Sequence, residues 1–402
     1  MGEGGQKGRC VPASEVVFVD NRDVAVATCK TLFNTMQTGN EAEPYCDIDQ
    51  AVDAVPARPV LWIKVTGRSA VYSPLGLASV THGMVVVHGP GSTTGPTVTI
   101  AGAATLVSVE SASLKLLLEG LVVGKPSAGQ ACILSTLAQS ITLKDVMVEG
   151  CFGVGVQIGV AASAGGALTA ERLLVRNVEG VGVIVNTADA RLSDSKVTGC
   201  DKEGLQLFGN APVLDRIFVE NNAGGGIELG PLSEALIQNS IILGNGNNSL
   251  PMGPVTLFGG IWAKGTLRIV NSTIDSNEAN DASPAGLRCE SANGVAFNSV
   301  FFGNVGLLDA PMSATCTVHA SAFVFDGAAS NNNVTLKDCA SSDIFVSDSV
   351  NLRPRKDAKD GCRLIDLGQA STTGISAPTV DIEGSVRPQG VGYEIGAYEV
   401  TP

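Results

Sequence analysis

The chain has 402 residues, a net charge of −13 and 16% charged residues, against roughly 25% in an ordinary globular protein. Such acidity excludes a binder that tracks nucleic-acid phosphates, and no apolar run reaches the ~20 residues of a membrane helix. Gly fills 48 positions and aromatics only 4%, a composition that favours many short strands joined by tight turns.

In chain order, the opening MGEGGQKGRC shows no signal-peptide pattern and reads as a start Met placed before a mature sequence. The first predicted element is a helix in CDIDQAVDAVP (46–56), the only good helix candidate. It is expected to cap the first coil of a repeat array, whose bare end would expose core and unpaired strand edges.

The middle of the chain repeats. NSIILGN (239–245), NSTIDSN (271–277) and NSVFFGN (298–304) are nearly literal copies. Weaker copies start at Asp145, Arg172, Asp194, Arg216 and Ala320. Successive starts step by 27, 22, 22, 23, 32, 27 and 22 residues, the length of one solenoid coil with variable loops. Strand alternation turns the second and fourth residues of each copy inward, from Val146 and Val148 to Ser321 and Phe323. The seventh position carries Asn222, Asn245, Asn277 and Asn304, which can hydrogen-bond from coil to coil.

A second strand follows in six coils, led by Gly: GVQI (155–158), GVIV (182–185), GLQL (204–207), GIEL (226–229), GIWA (260–263) and GLRC (286–289). The longest insert, 246–259, precedes the fifth. The fold class is therefore all-β, a single-stranded right-handed parallel β-helix with a short N-terminal cap helix. Residues 1–58 are assigned to the N-terminal segment and cap, 59–345 to the coils and 346–402 to a C-terminal cap.

Both ends resemble secreted bacterial β-helix proteins. The stretch 16–67 is similar to the N-terminal cap of pectate-lyase-like members, where a Cys pair brackets a Gly/Pro segment before the cap helix; Cys29 and Cys46 match it. The ending is similar to a choice-of-anchor Q type C-terminal region. Asp366 and Gly368, then Asp381, Gly384, Arg387 and Pro388, then Ile395 to Glu399 carry the likeness, with Glu394 in place of the usual Asp. The resemblance implies secretion or cell-surface location and a Cys29–Cys46 disulfide. It implies no particular reaction.

Ten cysteines without a CxxC pair suit disulfides in an oxidising compartment. Cys289 and Cys316 are 27 residues apart, matching the local coil step, and should stack within bridging distance. Cys339 and Cys362 are expected to pin the C-terminal cap. Cys151 and Cys200 share a column and read as buried thiols; Cys10 and Cys132 stay unassigned.

Chemistry is harder to read. Lyases of this fold use an Arg or Lys base, often with Ca²⁺ on carboxylates, and hydrolases use paired acids. No Asp-Asp pair occurs, and His82, His88 and His319 are scattered. Catalytic residues are unknown, and no cofactor or metal is implied beyond Ca²⁺ by analogy with lyases. The cluster Arg353, Arg355, Lys356, Lys359 and Arg363 reads as a solvated loop.

One outward stripe stands out: Gln206, Glu228, Trp262 and Arg288 in successive glycine-led strands. At ~4.8 Å per coil it spans about 14 Å, the length of two to three sugar units, with an aromatic face and hydrogen-bonding groups. The expectation is a monomeric, non-catalytic β-helix that binds a polysaccharide or another extracellular partner. The alternatives are a polysaccharide lyase or hydrolase using Glu228 and Arg288, and a featureless stalk.

Overall fold

A computed structural model describes residues 11–21, 38–66, 71–90, 98–126, 128, 131–159, 166–186, 189–246, 258–279, 284–290, 294–306, 315–324, 331–347 and 351–400. The chain divides into two compact units, Met1–Leu174 and Val175–Pro402.

In the first unit each coil contributes one strand to each of three parallel sheets. One sheet runs Val16–Val19, Val60–Val65, Met84–His88, Lys115–Glu119, Ser140–Lys144 and Ala167–Glu171. The glycine-led sheet runs Leu75–Leu77, Val107–Val109, Ala131–Ser135 and Val154–Ile158. The third runs Val71–Tyr72, Thr99–Ile100, Val122–Gly124 and Met147–Glu149. The expected helix forms as α1, Ile48–Ala54, with the Asp47 carboxylate accepting from the Ile48 N–H at 2.7 Å. Its buried Ile48, Ala51 and Val52 pack on the first strands, so an amphipathic turn closes the coil end.

The second unit continues the pattern. The repeated motifs form the strands Lys196–Cys200, Phe218–Glu220, Ile241–Leu243, Thr273–Asp275, Val300–Phe302, Ala322–Phe323 and Val334–Thr335. The glycine-led sheet holds Val183–Val185, Glu203–Leu207, Gly225–Leu229, Ile261–Ala263 and Leu287–Cys289. A further strand per coil, from Ala190–Ser193 to Thr317–His319, completes the wall. A four-residue helix absent from the sequence expectation, α2 at Ser341–Ile344, follows the coils.

The repeat is a code for backbone shape. Its first residue sits in the left-handed region in every copy, with φ 51° at Asp145, 50° at Asn239, 45° at Asn271 and 48° at Asn298. So does its sixth in every copy where that residue is described, at Gly150, Asn177, Gly199, Asn221, Gly244, Ser276 and Gly303. Asn, Asp and Gly tolerate this conformation best, so two corners bracket a three-residue strand. Where Arg216 takes the corner, its guanidinium forms a two-pronged pair with Asp194 in the coil before, at 2.7 and 2.9 Å.

All sixteen residues expected to face inward are buried. The serines among them are satisfied. Ser240, Ser272 and Ser299 each donate to the carbonyl two residues back and accept a backbone N–H from the preceding coil. The asparagines form the expected ladder: each Nδ2 of Asn222, Asn245 and Asn277 donates to the next Oδ1 at 2.8–3.0 Å. The leading glycines face these amides. A Cβ on Gly204 would lie 2.8 Å from Asn222 Nδ2, and one on Gly260 3.1 Å from Asn277 Nδ2.

That contact corrects the reading of two cysteines. Cys132 and Cys151 are not an unassigned residue and a buried thiol; they are bonded to each other, with Cα atoms 5.8 Å apart. Ala131 pairs with Val154 and Ile133 with Val156, which sets Cys132 in the glycine column, facing the seventh position of the repeat. The bridge is the covalent counterpart of the glycine–asparagine contact. Cys200 remains a free, buried thiol. Cys289–Cys316 and Cys339–Cys362 are disulfides with Cα separations of 5.6 and 5.7 Å. Cys46 is disulfide-bonded; Cys10 and Cys29 lie outside the described residues.

The C-terminal motif builds a clasp on the second unit. Asp381 accepts the backbone N–H groups of Glu383, Ser385 and Glu399. Arg387 and Glu399 pair at 3.0 Å with both side chains fully buried, and Arg387 also donates to the carbonyls of Gly396 and Ala397. Ile395, Ala397 and Tyr398 then pack with Ile241, Leu243, Val300 and Phe302 on the outside of the repeat strands. Ile375 and Ala377 cover Val270 and Phe297 on the adjoining sheet.

Candidate functional site

The glycine-led sheet of the second unit carries the stripe. Leu205, Ile227, Ile261 and Leu287 turn inward, so alternation sends their neighbours outward. The register is continuous: Ile184 pairs with Gln206, Gln206 with Glu228, Glu228 with Trp262 and Trp262 with Arg288. The C-terminal clasp packs on the other two sheets of this unit.

The side chains form two connected groups. Gln206 Nε2 donates to Glu228 Oε2 at 2.9 Å and to Glu203 Oε2 at 3.4 Å. Lys264 Nζ donates to the other Glu228 oxygen at 2.6 Å. Glu228 is only 8% exposed, so these contacts compensate a largely desolvated carboxylate. Burial, with the charge on Glu228 adding to it, pushes the Glu203 carboxyl above its ordinary range, against its own backbone hydrogen bond.

Trp262 anchors the second group. Its indole N–H donates to Glu290 at 2.9 Å, and Phe258 meets its ring at a 5.6 Å centroid distance. Lys264 Nζ and Arg288 Cζ lie 3.8 and 4.7 Å from the ring centroid. Arg288 also approaches Glu290 at 3.7 Å. Both cations therefore rest on the aromatic face and are tethered by carboxylates.

The four sequence candidates thus share one surface, but the pairing differs from the catalytic alternative. Trp262 stands between Glu228 and Arg288 in the register, and the cation on Glu228 is Lys264. Lys264 and Glu290 were missed, although both follow a stripe residue by two positions, the spacing that keeps a residue on the same face. Glu203 was missed because it precedes Gln206 by three and has no parity signal. Most of the 246–259 insert, residues 247–257, lies outside the described residues.

The other marked residues take structural roles. His82 is buried between the Arg58 N–H and the Val52 carbonyl, at 3.2 Å from each. His88 meets Glu119 at 2.9 Å. Arg353, Arg355 and Arg363 pair with Glu383, Asp357 and Asp366. Among the described residues no group of three His, Cys, Asp or Glu is placed to hold a metal ion, and no helix is long and apolar enough to cross a membrane.

Residues 155–334 match the family described as right handed beta helix region, and this stretch contains every residue of the stripe. The chain folds as a right-handed parallel β-helix. No curated protein matches the sequence. The β-helix explains how residues 22 to 34 apart in sequence converge: coil stacking, rather than a local motif, assembles the surface.

Proposed function

We propose that this β-helix protein works outside the cell and binds a carbohydrate chain along the Gln206–Glu228–Trp262–Arg288 face. The observation behind this reading is the unbroken register of those four residues, which sets hydrogen-bonding side chains beside an aromatic ring at one-coil intervals. An amide, carboxylates and a ring flanked by cations are groups that recognise hydroxyl-rich, partly apolar sugars. The disulfides fit an oxidising extracellular setting. Lys264 and Arg288 both lie over the ring in the free chain; lifting one such cation away costs about 0.5–1 kcal/mol at an exposed site, so a sugar ring can take the place of Arg288.

The test is affinity electrophoresis in gels containing polygalacturonate, alginate, xylan, β-1,3-glucan or dextran. Trp262→Ala should lose about 2 kcal/mol of affinity, roughly 30-fold, as an aromatic anchor does. Glu228→Gln should lose less, because an amide keeps most of the hydrogen bonding. A parent protein unretarded by all five polymers would sink the binding reading and favour a stalk.

A further inference from the structure

Beyond binding, the placement of two glutamates on neighbouring coils has a chemical consequence. We infer that Glu203 and Glu228 form a glycoside-cleaving pair within the proposed carbohydrate face, with Glu203 as proton donor and Glu228 as nucleophile. The inference rests on the carbohydrate-binding reading and adds an activity to it. It pairs Glu228 with Glu203 in place of Arg288.

Geometry leads the argument. One nitrogen, Gln206 Nε2, contacts Oε2 of both carboxyls, at 3.4 and 2.9 Å, so those oxygens are no more than about 6.3 Å apart. That ceiling admits the spacing of retaining glycosidases, about 5–5.5 Å, and falls short of the roughly 6.5–9.5 Å that leaves room for a water in inverting ones.

The environments separate the two roles. Glu203 is raised by burial and by its acidic neighbour, so it holds a proton more readily than an ordinary glutamate. Glu228 accepts from the Lys264 ammonium at 2.6 Å and from Gln206, contacts made to a carboxylate. A carboxyl raised by burial beside a second carboxyl held by a cation is the arrangement that divides acid from nucleophile.

The step balances. Glu203 gives its proton to the glycosidic oxygen as the bond from that oxygen to the anomeric carbon breaks, and the released chain leaves as an alcohol. A Glu228 oxygen closes on the anomeric carbon and forms a glycosyl ester. Water then adds to that carbon, its proton passing to Glu203 and the ester bond to Glu228 breaking. The net reaction consumes one water and restores both side chains. Trp262, one coil beyond Glu228, would hold a neighbouring sugar.

The experiment uses the full chain and the same five polymers, scored for new reducing ends. The polymer that retards the protein should be cleaved. Glu203→Gln and Glu228→Gln should each lose at least about 100-fold in rate while keeping the parent's circular dichroism and most of its gel retardation, a loss far larger than the small drop in affinity expected of Glu228→Gln. Activity should fall as pH rises through the Glu203 titration. For that polymer's sugar, a 2-deoxy-2-fluoro glycoside with a good leaving group should label the wild-type chain on the peptide carrying Glu228, a readout that needs no variant. Retardation without new reducing ends would overturn the catalytic pair and leave binding standing. Labelling elsewhere, or full activity in either variant, would also overturn it. No retardation by any polymer would remove both.

Discussion

Asn277→Ala tests the ladder that joins the coils. The Asn277 side chain is fully buried and makes four hydrogen bonds. Its Oδ1 accepts the backbone and side-chain N–H groups of Asn245, both at 3.0 Å. Its Nδ2 donates to the Ile242 carbonyl at 3.0 Å and to Asn304 Oδ1 at 2.8 Å. Alanine removes all four bonds from a dry interior: two Asn245 N–H groups lose their acceptor, the Ile242 carbonyl loses a donor, and Asn304 Oδ1 keeps only the Asn277 backbone N–H. At about 1 kcal/mol for each lost bond, plus partial desolvation penalties relieved by any water that enters, the cost is about 3–5 kcal/mol. Asn304→Ala, at the more exposed end of the row, should cost about half as much because water reaches it. The assay is urea unfolding at pH 7 followed by the fluorescence of Trp262, one coil from Asn277. The only other tryptophan, Trp62, lies in the first unit, so a Trp62→Phe background isolates the signal. A loss under about 1 kcal/mol for Asn277→Ala, or equal losses at both positions, would refute the ladder as a source of stability.

Three further outcomes can be checked with the same protein. Glu394 is fully buried, and burial, a hydrogen bond with the Glu399 carboxyl and that neighbour's charge together push it up to about 9. The folded chain then keeps a proton that the unfolded chain releases above about pH 4.3, so stability should fall as pH rises from there to about 9. Glu394→Gln should flatten that fall, and parallel urea midpoints for parent and variant at pH 5, 7 and 9 would contradict it. Replacing Cys289 and Cys316 by Ser opens a loop closed over a separation of 27 residues. It should cost about 3.5 kcal/mol by loop-closure entropy, and an unchanged urea midpoint would count against this. Burial pushes the Cys200 thiol up to about 12, so iodoacetamide at pH 8 should label the peptide carrying it only after urea is added. Rapid labelling of the native chain there would show an accessible thiol.

The repeat strands were legible because left-handed corners need Asn, Asp or Gly, and those residues punctuate each copy visibly. The glycine-led strands were legible for a related reason, since a side chain there would strike the asparagine row. The remaining sheet was not recognised. Its strands, such as Lys115–Glu119 and Glu234–Gln238, alternate apolar and polar residues but carry no fixed residue at either end. Cys132–Cys151 was hidden because comparison down one column paired Cys151 with Cys200, whereas the bond crosses between two columns. On the candidate face the register could be read from alternation, but the partners that decide its electrostatics could not. Lys264 and Glu290 lie just past the strand ends, and the Glu203–Gln206 contact depends on side-chain reach.

The asparagine row also bears on how such a chain can change length. Every rung presents the same junction, accepting from the coil before and donating to the coil after, so no rung is tied to a particular neighbour. Removing or duplicating one whole coil between Asn222 and Asn304 would join an acceptor to a donor as before. An insertion of any other length would instead be absorbed as a loop between corners, as the unequal 22 to 32 residue steps already display. The ladder therefore makes the array modular in whole coils, and lets the outward face of the glycine-led sheet grow or shrink by ~4.8 Å at a time.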